Sequence, residues 1–296
     1  MAISKNPSKF SLPQTNPGTA TVLEYLILKF PEITQETWQQ RMLNGKVHWH
    51  DGSLINPDSK FKAQQRVYYY REVLDEPVIP FEEEILFQDE NILVAYKPHF
   101  LPVTPGGIYI NECLQNRLRN RTGLKRLQAL HRLDRVTAGL VLFSTNPDTR
   151  KLYHQLFETQ EIHKTYQAIA ILNAQDSLVG ETWDVKNRIV KSTPAFLMKV
   201  IEGKNNSHSK IRCLQQMANK ALFELNPITG KTHQLRVHMQ TIGFAIQHDK
   251  YYPTLQDETA DDYSNPLQLL AKEIQFIDPV TNHLRIFSCD ESLELG

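Results

Sequence analysis

A proline- and acid-rich stretch, DEPVIP at Asp75–Pro80, divides the 296-residue chain into two parts of different character. Before it, apolar residues at helical spacing are followed by short strand-like runs, and after it strand-like runs alternate with short helices. Two prolines and several acids break both patterns, so the stretch predicts a linker between two domains. The predicted organisation is a flexible tail at 1–16, a small α+β domain at 17–74, the linker at 75–83 and a larger domain at 84–296.

The charge balance and the cysteines exclude several classes of protein. Thirty-three basic and 33 acidic side chains give no formal net charge, which argues against coating of nucleic acid by the whole surface. The three widely spaced cysteines form neither a disulfide framework nor a CxxC motif. The N-terminus has no apolar targeting core, and no run is long enough to span a bilayer. The sequence therefore predicts a cytoplasmic protein without a membrane segment.

Residues 117–135 carry seven basic side chains and one acid, Asp134. Such a cluster is either a phosphate-binding stripe or a solvated helix face, and an unaided charge run favours the second. The segment ends, however, in HRLD at 131–134, directly before Thr-Ala-Gly at 137–139 and an apolar strand. An ionised, positioned carboxylate is what covalent catalysis at a sugar carbon requires, whereas many Asp–Arg neighbours are only salt bridges. From the residues alone, both interpretations of Asp134 stay open.

A second segment, TGKTHQLRVH at 229–238, predicts a short helix with Thr232 as its N-cap. Arg236 lies off the apolar stripe of this helix, one turn from its start, and can reach a carboxylate or a phosphate. His233 and His238 are five residues apart and do not share a helix face. Hydrogen-bonded histidines are therefore favoured over a zinc pair.

A third segment, KTYQA at 164–168, places Tyr166 at the head of a predicted strand. A lone tyrosine in such a position is usually part of the core or of its rim. It gains a chemical role only if it faces Asp134.

Taken in order, these segments resemble the RluA family of RNA pseudouridine synthases over about residues 84–287. HRLD followed by TGKTHQLRVH is specific, because unrelated folds rarely contain both. The segments that carry the resemblance are NILVAYKP (91–98), HRLDRVTAG (131–139), KTYQA (164–168), TGKTHQLRVH (229–238) and LQLLAKEIQF (267–276). The resemblance implies an α+β fold, with a mixed, mostly antiparallel sheet and flanking helices, the pseudouridine synthase fold.

The resemblance also implies a cofactor-free isomerase that converts uridine to pseudouridine in structured rRNA or tRNA. The N1–C1′ bond is broken, the uracil rotates, and C5 is joined to C1′. By carry-over, Asp134 is the catalytic carboxylate and Arg236 its ion-pair partner. Tyr166 contacts the base, Arg132 contacts RNA beside the flipped nucleotide, and Lys97 helps to shape the pocket. No metal is implied.

The expected partner is RNA, with no protein partner, and the chain is expected to be a monomer. A uridine must be flipped out of its stack before a side chain reaches C1′, at a cost of a few kcal/mol. Phosphate contacts can offset that cost. The residues predicted to make them are Arg117, Arg119, Arg121, Lys125, Arg126 and Arg135.

Residues 17–74 resemble the S4 RNA-binding domain. Apolar spacing predicts helices over 22–30 and 34–44, and strands at 47–49 and 67–70. The second helix carries a single base, Arg41, so the domain is expected to play an auxiliary role in binding RNA. Its predicted contacts are Lys46, Lys60, Lys62 and Arg66.

The larger domain departs from the family pattern in three places. Ala138 stands where serine is usual, His99 and Phe100 follow the Lys-Pro pair, and residues 244–249 read FAIQHD where HPIVGD is more common. None of these stretches is expected to touch the acid, the tyrosine or the arginine of the predicted site.

Two other functions are compatible with parts of this pattern. An RNA-binding or RNA-folding factor would keep the fold without catalysis, but binding alone does not require a paired carboxylate. A glycosidase-like hydrolase would release uracil, but the second acid that such enzymes need is not evident.

Overall fold

The structure is a computed structural model that describes residues 2–172 and 177–295. The chain forms two compact units, and the division between Pro77 and Val78 falls inside the predicted linker. The smaller unit also contains Gly106–Asn111, which the sequence did not predict. The units are Met1–Pro77 with Gly106–Asn111, and Val78–Pro105 with Glu112–Gly296.

The elements are numbered in chain order. The helices are α1 (Val22–Lys29), α2 (Gln35–Leu43), α3 (Leu114–Thr122), α4 (Arg150–Glu158) and α5 (Gln234–Thr241). The strands of the smaller unit are β1 (Ala2–Ile3), β2 (Ser8–Ser11), β3 (Val47–Trp49), β4 (Arg66–Tyr69) and β5 (Glu72–Val73). The strands of the larger unit are β6 (Glu84–Gln88), β7 (Ile92–Lys97), β8 (Gln128–Ala129), β9 (Ala138–Ser144), β10 (His163–Ile171), β11 (Thr182–Lys191), β12 (Met198–Ile201), β13 (Ser207–Met217), β14 (Lys220–Pro227), β15 (Leu269–Ile277) and β16 (Leu284–Ser288).

In the smaller unit, α1 and α2 share a core with a three-stranded antiparallel sheet of order β2-β4-β3. Both helices lie where the apolar spacing predicts them. Thr21 and Thr34 cap them by accepting hydrogen bonds from backbone N–H groups in the first turn, as N-cap threonines commonly do. The fully buried Trp38 lies at the centre of this core.

The prediction of a flexible tail at 1–16 is wrong. β2 pairs with β4 along its whole length, and β1 pairs with β5. Phe10 packs against the rings of Phe30 and Tyr69, and Leu12 is buried. Burial of these apolar side chains supplies the free energy that orders the segment, although its sequence has no long periodic run.

In the larger unit, one sheet has the strand order β12-β11-β13-β14-β10-β15-β9-β7-β6, and β16 and β8 pair with β15 and β9. Its described pairs are antiparallel except β15 with β9. The prediction of a mixed, mostly antiparallel sheet is confirmed. α4 packs its apolar side on β7 and β9, and α5 packs on β10, β13 and β14.

The start of α5 differs from the prediction. The helix begins at Gln234, and its N-cap is His233 in the left-handed conformation, with φ 54° and ψ 16°. Thr232 therefore lies one residue before the cap. The stripe formed by Leu235 and Met239 is buried as predicted.

One row of residues crosses five neighbouring strands at the centre of this sheet. Cross-strand pairing places in this row Leu225, Tyr166, Ala271, Gly139 and Lys97. Residues directly opposite each other on paired strands share a face of the sheet. Ala271 and Gly139 are small, so the backbones of their two strands lie close together between the tyrosine and the lysine. The loop that carries Asp134 enters β9 at this point.

Gly139 is required by the close approach of β9 and β15. Its φ is +115°, and a Cβ there would lie 2.5 Å from the backbone nitrogen of Ala271 and closer still to its carbonyl oxygen. A side chain at this position would push apart the parallel pair that sets the position of the loop before it.

Candidate active site

Arg236 is a deeply buried charged group beside Asp134. It lies in the first turn of α5, and its side chain is 3% exposed. Its Nη1 lies 3.4 Å from Oδ2 of Asp134, a partly exposed carboxylate in the loop before β9. The structure thus places the predicted ion pair of Arg236 and Asp134 within contact distance.

Asp249 holds Arg236 more tightly than Asp134 does. Its carboxylate accepts from Nε and Nη2 of Arg236 at 2.7 and 2.6 Å, in a bidentate geometry. It also accepts from the backbone N–H groups of Tyr251 and Tyr252, which fixes it in the turn. Burial opposes the charge of Arg236, but the hydrogen bonds and charge of Asp249 outweigh it and raise the pKa of the guanidinium.

Two aromatic rings complete the surroundings of the guanidinium. Its central carbon lies 4.8 Å from the ring centre of Tyr251 and 5.3 Å from that of Tyr252. Contacts of this kind favour a cation. The stretch 244–249 was expected to lie away from the site, and this is wrong for its last residue. Asp249 is the acid that FAIQHD shares with the more common HPIVGD, and this shared position is the signal in the sequence that could have found it.

Tyr166 lies in β10 in the same row as Lys97, and its side chain is partly buried. Burial and then the negative charge of Asp134 raise the pKa of its hydroxyl. The phenol is therefore neutral at physiological pH. The ring and its O–H can contact a base, and Asp134 lies within electrostatic range of the hydroxyl.

Lys97 is fully buried, yet it has no carboxylate partner among the residues that the structure describes. Its Nζ donates to the carbonyls of Pro98, Leu101 and Arg135 at 2.8, 2.8 and 3.0 Å. Burial lowers the pKa of this amine well below its usual value. Because one of the three carbonyls belongs to the residue after Asp134, Lys97 anchors the loop that carries the acid.

His99 adds a second anchor where the chain departs from the family pattern. Its Nδ1–H donates to the carbonyl of Val136 at 2.7 Å. Burial lowers the pKa of His99 to about 4, so the ring is neutral. The histidine after the Lys-Pro pair therefore also holds the Asp134 loop.

Comparison with known proteins agrees with this arrangement. Residues 91–241, about half of the chain, match the RNA pseudouridylate synthase family. The chain belongs to this family. The matched range includes both Asp134 and Arg236, and the chain is an RNA pseudouridine synthase.

Curated relatives include two synthases from Vibrio and one from yeast. The dual-specificity RNA pseudouridine synthase RluA of Vibrio parahaemolyticus is 29% identical over 68% of this chain and 80% of its own. The ribosomal large subunit pseudouridine synthase C of Vibrio cholerae is 27% identical over 69% and 64%. The mitochondrial tRNA pseudouridine(32) synthase of Saccharomyces cerevisiae is 24% identical over 78% and 50%. The resemblance to the RluA family is confirmed.

A solved structure with the same fold is human RNA pseudouridylate synthase domain containing 4. It superposes with a TM-score of 0.53 and 25% identity, over 70% of this chain and 88% of that one. The S4 resemblance of the smaller unit is not tested by these comparisons.

Two arginines of the predicted RNA-binding segment of the synthase are used within its fold. Arg117 donates to the carbonyl of Phe81 at 2.6 Å and forms an ion pair with Glu83 at 3.3 Å. Arg119 donates twice to the carbonyl of Leu127, at 3.0 and 2.7 Å. Because these contacts occupy both guanidinium groups, the structure argues against a direct role in phosphate binding for either.

Of the rest of the segment, Arg135 is paired and the other four cations are exposed, although Arg121 among them donates to the carbonyl of Glu83 at 3.1 Å. Arg135 forms a bidentate ion pair with Asp261 at 2.6 and 2.8 Å. This contact connects the loop that holds the acid to the acidic stretch near 257–262. The exposed cations are Arg121, Lys125, Arg126 and Arg132. Of the predicted phosphate stripe, these four remain accessible.

Neither a metal site nor a membrane-spanning helix is found in the described part of the synthase. Within 2–172 and 177–295, histidine, cysteine and acidic side chains do not gather in groups of three that could hold a metal ion. In the same ranges, no helix combines the length and apolar character needed to cross a bilayer.

Proposed function

We propose that the synthase converts uridine to pseudouridine in structured rRNA or tRNA, with Asp134 as its catalytic carboxylate. The observation that carries this proposal is the position of Asp134. It is a partly exposed acid beside a deeply buried arginine and near a neutral tyrosine, in a loop anchored by a buried lysine. Relatives named for ribosomal RNA and for transfer RNA support these two substrate classes.

The chemistry requires a carboxylate at the ribose and no external reactant. Asp134 attacks or deprotonates at the sugar, the N1–C1′ bond breaks, and the uracil stays in the site. After the base turns, C5 bonds to C1′, the C5 hydrogen leaves as a proton, and N1 takes up a proton. Nothing is oxidised or reduced, so the side chains of the proposed site suffice without a cofactor.

Tyr166 and Arg236 have different tasks in this scheme. The neutral phenol of Tyr166 can stack on uracil and donate a hydrogen bond, since its raised pKa keeps it protonated. Arg236 places a positive charge 3.4 Å from Oδ2 of Asp134. Because Asp249 holds Arg236 in place, the arginine provides a fixed charge while Asp134 remains free to react.

The exposed cations beside the catalytic loop support binding of the RNA backbone. Arg132 is two residues before Asp134, and no hydrogen bond or ion pair of its side chain is seen with any residue that the structure describes. We place it against the RNA beside the flipped nucleotide. Arg121, Lys125 and Arg126 extend this basic surface, which suits phosphates approaching the same loop.

The smaller unit is proposed as an S4-like auxiliary RNA-binding domain. Two basic side chains of this unit stabilise its fold, because Arg41 and Lys46 both form ion pairs with the largely buried carboxylate of Glu72. Lys60 and Arg66 are exposed, and they remain as predicted contacts. The exposed Lys62 has its ammonium over the ring of Trp49 and also stays accessible.

We further propose that the synthase acts as a monomer in the cytoplasm. Its three cysteines are buried and none of them forms a disulfide in the described part of the chain, which suits a reducing compartment.

The test is tritium release from unmodified rRNA and tRNA transcripts labelled at uridine C5, because pseudouridine formation must displace that hydrogen. Wild type should release tritium, and Asp134→Asn should release none while binding RNA with similar affinity. Asp184→Asn, which changes an exposed acid in the same way, should behave as wild type. Release of tritium in the presence of Asp134→Asn would refute the assignment of Asp134. Bound RNA without release by wild type would favour an RNA-binding factor, and free uracil would indicate a hydrolase.

A further inference from the structure

His233 adopts a backbone conformation that residues with a Cβ rarely enter. Its φ of 54° places it in the left-handed region, where the Cβ of an ordinary residue crowds the backbone at a cost of roughly 1–2 kcal/mol. Glycine enters this region most easily, and asparagine, aspartate and histidine are enriched there among the other residues. Strained residues of this kind cluster at functional sites. The position beside Asp134 therefore suggests that the imidazole contributes something there that an asparagine would not.

A chain of hydrogen bonds decides which nitrogen of His233 carries the proton. The backbone N–H of Met198 donates to the hydroxyl oxygen of Tyr252 at 2.9 Å, and the same hydroxyl lies 2.9 Å from Nδ1 of His233. The hydroxyl has one hydrogen to donate. Tyr252 is buried, and the described residues offer its hydrogen no acceptor other than Nδ1. Nδ1 is therefore the acceptor, and the neutral ring carries its proton on Nε2.

The protonated nitrogen faces the carboxylate. Nε2 of His233 lies 3.8 Å from Oδ2 of Asp134, and the imidazole is 9% exposed. Burial lowers the pKa of His233, against the opposing charge of Asp134, so the ring is a neutral donor. At 3.8 Å the two groups need only a small shift to form a hydrogen bond, and such bonds are often long before substrate binds.

The two N–H donors near Asp134, from Arg236 and His233, approach the same carboxylate oxygen. Nη1 of Arg236 lies 3.4 Å from Oδ2, and Nε2 of His233 approaches Oδ2 as well. Oδ1 has no hydrogen-bond partner among the residues that the structure describes. We propose that His233 is a positioning residue, whose Nε2–H holds Oδ2 of Asp134 and leaves Oδ1 directed at the ribose. This inference rests on the proposed catalytic role of Asp134.

Two substitutions that introduce an amide side chain separate a positioning role of the His233 imidazole from an effect of the His233 backbone conformation. In His233→Gln, the amide nitrogen reaches about as far as Nε2 and can donate to Asp134, although glutamine fits the left-handed region poorly. In His233→Asn, the backbone fits better, but the amide ends near the place of Nδ1 and cannot reach the carboxylate. A positioning role predicts that Gln is more active than Asn, and a purely conformational role predicts the reverse order.

The measurement is the single-turnover rate of tritium release, together with the dissociation constant for the same RNA. A misplacement of about 1 Å can cost about a hundredfold in rate, so we expect His233→Asn to be about 10- to 100-fold slower than wild type. His233→Gln should lie within about tenfold of wild type, and both should bind RNA with unchanged affinity. Equal rates for the two variants, or a faster Asn variant, would overturn the proposal.

A second measurement does not depend on activity. The ¹⁵N NMR shifts of the His233 ring in the full-length protein should show a proton on Nε2 and none on Nδ1. In Tyr252→Phe, which keeps the ring but loses the hydroxyl, the fixed preference should be lost. A proton on Nδ1 in wild type would overturn the proposal, even if the His233 variants failed to fold. Asp134→Asn is measured alongside, since retained turnover in that variant would refute the role of Asp134 itself.

Discussion

Replacing Asp249 by asparagine tests the claim that this residue, rather than Asp134, holds Arg236 in place. The substitution keeps the size of the side chain and an oxygen that can accept from the backbone N–H of Tyr251. It removes the negative charge and places an amide N–H₂ against a guanidinium that already donates at 2.7 and 2.6 Å. Arg236, only 3% exposed, then lacks its close partner.

The expected loss follows from the burial of the pair. Breaking a buried ion pair by removing one partner costs about 3–5 kcal/mol, because a charge is left without compensation. Asp134 stays 3.4 Å from the same guanidinium and compensates part of its charge. We therefore expect the free energy of unfolding to fall by about 3 kcal/mol, the low end of that range. At roughly 2–4 °C per kcal/mol for a large domain, this lowers the melting temperature by about 6–12 °C.

The assay is differential scanning calorimetry of full-length wild type, Asp249→Asn and Asp184→Asn. Asp184 forms an ion pair with Lys186, and both side chains are about half exposed. The same Asp-to-Asn change there should cost less than about 1 kcal/mol. Equal melting temperatures for the two variants would refute the view that Asp249 compensates a buried charge.

Two further predictions concern the stability of the larger unit. Gly139→Ala should leave little folded protein, since a Cβ collides with the Ala271 backbone. Gly123→Ala, at φ +73° with open space around it, should cost only about 1 kcal/mol of stability. Similar yields and melting temperatures for the two variants would contradict the packing argument. Stability should also fall as the pH is lowered from about 6.5 toward 4, because burial holds the pKa of three neutral imidazoles below the unfolded value. Unfolding then takes up about one proton for each, and calorimetry at pH 7 and pH 5 should show the loss. The three, with pKa values lowered to about 4, 3 and 4, are His99, His131 and His238.

Local patterns were sufficient to predict the helices of the smaller unit, and the family resemblance predicted the type of sheet in the larger one. They failed at the N-terminus, because β2 is four residues long and its order comes from Phe10 packing on rings 20 or more positions away. They also misplaced the start of α5. Thr232 has the residue type of an N-cap, but the chain reaches the helix through a left-handed His233, a conformation that propensity would assign to glycine or asparagine.

In the basic segment, the sequence pattern could not predict which cations are paired within the fold. The phosphate-binding interpretation treated the cations of 117–135 as one stripe, yet Arg117, Arg119 and Arg135 are engaged by the protein's own carbonyls and acids. The partner of an arginine depends on which loop folds against it. That information lies in contacts such as Arg135 with Asp261, which are 126 positions apart.

Which acid binds the guanidinium of Arg236 more tightly also matters for how the site works. Sequence patterns placed Asp134 and Arg236 together as an ion pair, but a bidentate pair between them would stabilise the carboxylate in its unreacted state. In the structure the short, bidentate contact belongs to Asp249, and Asp134 meets the guanidinium at 3.4 Å through a single nitrogen. Electrostatic stabilisation is most effective when the charges are fixed before the reaction begins. Asp249 therefore fixes the positive charge, and Asp134, the carboxylate proposed to react, is the one held less tightly.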